Sequence, residues 1–287
     1  MLPDPAKNRF PIDESATEMA WVQMIGPLLT AGMGGLFAER ADDLSGISAV
    51  LDIGCGPGDW ALALASKYPD MQVTGIDISE PMINDALAHA RARGFENAHF
   101  DVMDATQALD FPDASFDLVN GRTMTGFLNP TLWPKLLGES YRILRSGGTI
   151  RVTELSEPLT NSAASGKLWG LFARAMSATG RNYDAEGRHM GIVHQLPSLL
   201  RDAGLQNISI RGHGIDFSAG TPTWEGWYQN FSMVLKLIQP FFMKLGLTTE
   251  EEFDRLYQQM LGDMHSDQFT GLATYFTFWG TKPGEVG

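Results

Sequence analysis

The chain has 287 residues, 44% of them hydrophobic and 19% charged, with a formal net charge of −13. That length can bury a sizeable core, while the acidic balance argues against nucleic acid and anionic membrane surfaces, which call for clustered Lys and Arg. One cysteine, Cys55, excludes an internal disulfide and any cysteine-based metal cluster, and no residue spacing resembles a metal site. The chain shows neither a basic-then-apolar leader nor a run near the ~20 apolar residues of a membrane span. The expectation is a soluble cytoplasmic protein with no membrane insertion and a small-molecule partner. Its oligomeric state is not written in the sequence.

In chain order, residues 12–40 read as a helical preface, opened by a capping box of Ser15 and Glu18. From about residue 48 to 155, strand-like and helix-like segments alternate. The strands are AVLDIG (49–54), MQVTGIDI (71–78), NAHFDVM (97–103), SFDLVNG (115–121) and GTIRVTEL (148–155). Between them lie helices at 60–68, 82–94 and 132–145, the last stopped by Gly147–Gly148. Such alternation implies βαβ units and a parallel sheet. A further helix is expected over 160–180 and a short one over 196–203. Across 221–264 the apolar residues fall at i, i+3, i+4 and i+7, and Pro240 should kink or split that helix near Gln239. A second helix follows, with Thr249 and Glu252 as its capping box. Strands at 207–217 and 272–280 flank this insert.

The stretch VLDIGCGPGDW (50–60) carries glycine at every second position, Gly54, Gly56 and Gly58, just after the first strand. A dinucleotide fingerprint, G-x-G-x-x-G, would put its third glycine at position 59, where Asp59 stands. Asp52 and Asp59 also have the wrong sign to bracket a pyrophosphate. A ligand carrying positive charge suits them better.

Together with VTGIDIS (73–79), FDVMDA (100–105), SFDLV (115–119) and YRILRSGGTI (141–150), this loop resembles the class I S-adenosylmethionine-dependent methyltransferases. The likeness is to the small-molecule branch that serves quinone and natural-product biosynthesis. It covers residues 48–155 well and 195–217 and 268–281 more weakly. It implies an α/β Rossmann-like fold with a seven-stranded, mostly parallel sheet in the order 3-2-1-4-5-7-6, helices on both faces and a helical lid. The organisation expected is one methyltransferase domain over 1–287. Residues 1–45 form an N-terminal cap, 46–155 a cofactor-binding core, and 156–190 and 218–266 the inserts that make the lid.

The resemblance also assigns site residues for S-adenosylmethionine. Asp52 would accept from its ammonium, or else cap the following turn. Gly54, Cys55, Gly56 and Gly58 would bring backbone to it. Asp77 would take both ribose hydroxyls, or else cap the next helix, with Ile78 and Met82 beside it. Asp104 would hold the adenine amino group between Met103 and Ala105, or else sit on an exposed loop. Asn120 and Gly121 would pass beneath the methionine moiety. Arg122 would pair with the cofactor carboxylate or with Asp52, and Gln23 is a further candidate for that carboxylate.

In open parallel sheets ligands bind at the carboxyl ends of the strands, so both inserts should sit over the reacting methyl group. Residues 217–279 hold 14 of the chain's 29 aromatics, more than packing alone needs, which points to an apolar acceptor pocket. Methyl transfer needs a base only when the acceptor must lose a proton. His194, just ahead of the helix at 196–203, is the candidate, with His189, His213 and His265 behind it. Methylation at oxygen or carbon is preferred to nitrogen. The alternative is an enzyme that keeps the cofactor without transferring methyl, using the sulfonium to promote a cyclisation or rearrangement, for which a base-free pocket would speak.

Overall fold

The computed structural model describes residues 15–40, 44–184, 186–189 and 191–284. Residues 12–14 of the expected preface, and 185 and 190 of the first expected insert, lie outside the described residues, as do 1–11, 41–43 and 285–287.

The central strands are β1 (Ala49–Ile53), β2 (Gln72–Asp77), β3 (Ala98–Val102), β4 (Phe116–Arg122) and β5 (Leu144–Leu155). All five run parallel, with β1 between β2 and β4. β1 and β4 are largely buried, as interior strands of a parallel sheet must be. Beyond β5 the sheet turns antiparallel through β8 (Gly271–Thr281), which pairs with β5 on one side and β7 (Gln206–Asp216) on the other. A two-residue β6 (Leu159–Thr160) adds to the end of β8. Leaving out β6, the seven long strands run 3-2-1-4-5-7-6, the order expected from the resemblance.

Successive residues of each strand feed different cores. Val50, Val73 and Leu118 pack under α2 (Asp59–Lys67) and α3 (Glu80–Arg93), while Leu51, Ile76 and Val119 pack under α4 (Trp133–Ile143) and α6 (Leu196–Asp202). A third apolar cluster joins α1 (Ala16–Gly32), α5 (Ala163–Ala178), α7 (Trp224–Lys244) and α8 (Glu250–Met264) to the ends of β7 and β8. Both expected N-caps form: Ser15 accepts from the Glu18 N–H and Thr249 from the Glu252 N–H.

Three expectations need correction. The preface helix ends at Gly32, with only a 3₁₀ turn at Ala38–Arg40 beyond it. Gly147–Gly148 do not end α4, which stops at Ile143 and passes directly into β5. Leu144 already pairs with Phe116 while Thr149 pairs with Leu118, so the glycines lie in a bulge. Gly147 there has φ +81°, and a side chain at Gly148 would press on the Asp117 carbonyl. Finally, α7 runs through Pro240 to Lys244. Burial of Phe242 against Phe172 and Phe253 outweighs the hydrogen bond that the proline removes.

Candidate functional site

At the carboxyl ends of β1, β2, β4 and β5 lies a cavity of about 300 Å³. One side is built by the core. The Gly54–Gly58 loop keeps positive φ at all three glycines, and the Gly56 N–H donates to Asp77 Oδ2 at 2.9 Å. Asp77 Oδ1 accepts from the Ser79 N–H, also at 2.9 Å, so this carboxylate ties the loop to the end of β2. Ile78, Met82, Met103, Asp104 and Ala105 continue the wall, and Asp104 Oδ1 accepts from the Thr106 backbone and hydroxyl. The other side is Trp21 of the N-terminal helix together with Trp169, Phe172, Trp227, Asn230 and Phe231 of the lid.

The cavity thus gathers Gly54, Gly56, Asp77, Ile78, Met82, Met103, Asp104, Ala105 and Arg122 of the residues singled out in the sequence. The rest stand elsewhere. Asp52 is buried behind the wall and accepts from the Asn120 amide at 2.7 Å. Burial pushes its pKa up to about 6 against the pull of Arg122. Asn120 is itself fully buried and held by Arg151. Gly121 backs onto Met124, Cys55 onto Gly75 and Gly58 onto Phe100. Gln23 spans from α1 to α3, donating to Asp85 Oδ2 at 2.8 Å.

His194 is exposed in the turn ahead of α6 and is not part of the cavity wall. A histidine just before a helix lies at the strand-end edge of the fold without pointing at the site. Of the other histidines, His213 is buried against Thr277, and His265 packs on Trp224 and Tyr228.

Two groups on the wall carry chemistry that the sequence reading passed over. Glu154, at the end of β5, is 1% exposed and accepts from the Met124 N–H at 2.7 Å and the Thr125 hydroxyl at 2.8 Å. Burial raises its pKa to about 7, against those hydrogen bonds. Tyr275 of β8 lines the same cavity; burial first, then the nearby Glu154, push its phenol up. Glu154 ends a strand just as Asp77 does, so the rule that located Asp77 would also have found it. Asn230 was the one amide in an aromatic helical stripe. Among the described residues of the wall, Glu18, Asp77, Asp104 and Glu154 are acidic and Arg122 is the one base. Burial lowers the Arg122 pKa, while Asp52 and Asp59 oppose that shift.

Residues 50–148 match the family model described as a methyltransferase domain. The strand order and the strand-end cavity agree with that match. Residues 50–148, about a third of the chain, are thus similar to a methyltransferase domain. Over 138 residues it is 39% identical to the demethylmenaquinone methyltransferase of Thermus thermophilus, an alignment covering 47% of this chain and 61% of that one. Its Lactococcus lactis counterpart is 35% identical over 121 residues, covering 42% and 46%. The chain therefore spans less than two thirds of the curated relatives it matches. A solved structure of phosphoethanolamine N-methyltransferase 2 from Haemonchus contortus, with phosphomonomethylethanolamine and S-adenosylhomocysteine, superposes at TM-score 0.54 with 21% identity. That superposition covers 92% of this chain and 53% of the other, and at such identity it speaks for the fold alone. The family match ends at residue 148, so the lid helices and Glu154 lie outside it. No helix among the described residues is long and apolar enough to cross a membrane, and no cluster of three metal-ligating side chains occurs among them.

Proposed function

We propose that the chain transfers a methyl group from S-adenosylmethionine to a small, partly hydrophobic acceptor, at carbon or oxygen in preference to nitrogen. One observation carries this reading: a single cavity joins the glycine loop and Asp77 to an aromatic lid, with the buried carboxylate of Glu154 on the same wall.

The residues present suit the cofactor. Side chains added at 54 and 56 would lie 3.3 Å from Phe127 and 3.1 Å from Val22, so glycine keeps backbone bare where a ligand must approach. Four acids against one arginine favour a ligand with positive charge and disfavour a pyrophosphate. When bound, S-adenosylmethionine supplies an activated methyl group on a sulfonium. The chain adds alignment and a site closed to water. On this reading Gly54, Gly56, Asp77, Ile78, Met82, Met103, Asp104 and Ala105 hold the cofactor and Arg122 meets its carboxylate. Glu154 takes a proton at a carboxylate oxygen when the acceptor is an enol, a phenol or a carbon acid. A pKa near 7 fits a general base that works at neutral pH.

The curated relatives are named for demethylmenaquinone and the solved neighbour for methylating nitrogen. An aromatic lid suits an acceptor of the first kind. A non-methylating use of the sulfonium calls for a pocket without a base, and Glu154 stands on this wall.

Calorimetry with S-adenosylmethionine and S-adenosylhomocysteine tests the cofactor. Both should bind, and Asp77→Ala should weaken them more than about tenfold, since it removes a charged hydrogen-bond acceptor. Absence of binding overturns the reading. Incubating labelled cofactor with a metabolite extract, followed by mass spectrometry for a product heavier by one CH₂, identifies the acceptor.

A further inference from the structure

The cavity-facing stripe of α7 is Trp227, Asn230, Phe231, Val234 and Ile238, spaced as one helical face. Four of the five are apolar. Asn230 is 5% exposed, and an amide so placed needs partners for both its oxygen and its nitrogen. Its oxygen is satisfied: Trp21 Nε1 donates to Asn230 Oδ1 at 2.8 Å. An indole N–H can only donate, so the atom it meets must be the amide oxygen, and the orientation of the side chain follows. The Nδ2 amide is thereby turned away from Trp21, on a residue of the cavity wall, and makes no hydrogen bond to the described residues.

We infer that Asn230 is a specificity-determining donor that hydrogen-bonds an oxygen of the acceptor through Nδ2, with Trp21 holding the amide in place. The acceptor class is then an aromatic or enolic ring bearing a carbonyl, enol or phenol oxygen. An ammonium offers no lone pair to this donor, and a bare hydrocarbon leaves it unpaired. This rests on the methyltransferase reading only for the word acceptor, since the recognition itself needs no cofactor. It explains why one amide interrupts an aromatic stripe: a site built around a donor rejects molecules that lack the matching oxygen far more strongly than it rejects a change in size.

The test compares naphthalene and 2-naphthol as probes, with binding followed by quenching of tryptophan fluorescence. The wild-type chain should bind 2-naphthol about tenfold more tightly than naphthalene. Asn230→Leu should abolish that preference while keeping naphthalene affinity within about twofold and leaving S-adenosylhomocysteine binding intact. If Asn230→Leu does not fold, Trp21→Phe reads the same point, because a released amide should narrow the preference. Equal binding of naphthol and naphthalene by the wild type, or a preference that survives Asn230→Leu, would overturn the inference. Failure to bind S-adenosylmethionine would instead sink the methyltransferase reading and leave the probe comparison readable.

Discussion

Asn120 stands beside Asp52 in the β1–β4 pair and donates its amide to that carboxylate at 2.7 Å, while its own oxygen accepts from Arg151 Nη1 at 2.7 Å. Arg151 in turn pairs with Glu39, and these two side chains are 2% and 1% exposed. A buried chain of four polar groups thus runs from the 3₁₀ turn that follows α1 to the strand beneath the glycine loop. It fixes the Asn120 amide so that its nitrogen, and not its oxygen, faces Asp52.

Breaking that chain at one end should be costly. Arg151→Met strands the Glu39 carboxylate in the interior, and the expected loss is about 3–5 kcal/mol by urea unfolding. Replacing both partners, Glu39→Leu with Arg151→Met, should recover most of it. If the double variant is as unstable as the single one, the pair is not what the fold depends on.

Glu154 gives a pH signature. Its folded pKa of about 7 lies above the ordinary 4.5, so its contribution to stability is fully present below pH 4.5 and is lost as pH rises through 7. Ionised and buried, it costs about 3 kcal/mol. Glu154→Gln cannot ionise. Between about pH 5 and pH 8 the variant's unfolding free energy in urea should fall less than the wild type's by a difference of that order. Once the acceptor is known, turnover by the wild type should rise through pH 7, and the Gln variant should be slower by ~10² or more with no such rise. A pH profile unchanged by the substitution would remove Glu154 from the chemistry.

The seven long strands were legible because their signals are local: apolar runs between glycines, with acids at their ends. The same signals drew attention to Gly54, Gly56, Asp77 and Asp104, all of which line the cavity. What escaped depends on contacts distant in sequence. Gln23 turns to Asp85, 62 residues away, and nothing in the helix itself says so. Asn230 meets Trp21 across 209 residues, and Glu154 gains Thr125 from the loop after β4. Gly147–Gly148 were read as a helix stop because a glycine pair marks a bulge equally well, and only the pairing with β4 decides. His194 had the right edge of the sheet and the wrong direction.

Gly58 caps α2 at φ +82°, and a Cβ there would stand 2.9 Å from the Phe100 ring and 3.0 Å from Ala86. Gly58→Ala therefore meets both backbone strain and a clash with a buried ring. The expected cost is about 2 kcal/mol or more in unfolding free energy. Because α2 and the loop are one unit, calorimetry should also find weaker S-adenosylhomocysteine binding. A variant that matches the wild type in both measurements would show that the loop tolerates a side chain.

Trp169 lines the cavity on the lid side, which the proposed function gives to the acceptor. It meets Phe172 and Phe231 edge-on, with ring centroids 5.9 and 5.7 Å away, and its buried indole nitrogen has no hydrogen-bond partner among the described residues. Its contribution is therefore volume and apolar surface. Trp169→Ala should cost about 2–4 kcal/mol of stability, below a full core deletion because one face already borders a cavity. It should leave S-adenosylmethionine affinity within about twofold, since the glycine loop and Asp77 belong to the opposite side. The acceptor should respond the other way, with a higher KM for the natural one and improved kcat/KM for analogues carrying a larger ring. Equal losses for acceptors of every size would mean that Trp169 supports the lid without setting its dimensions.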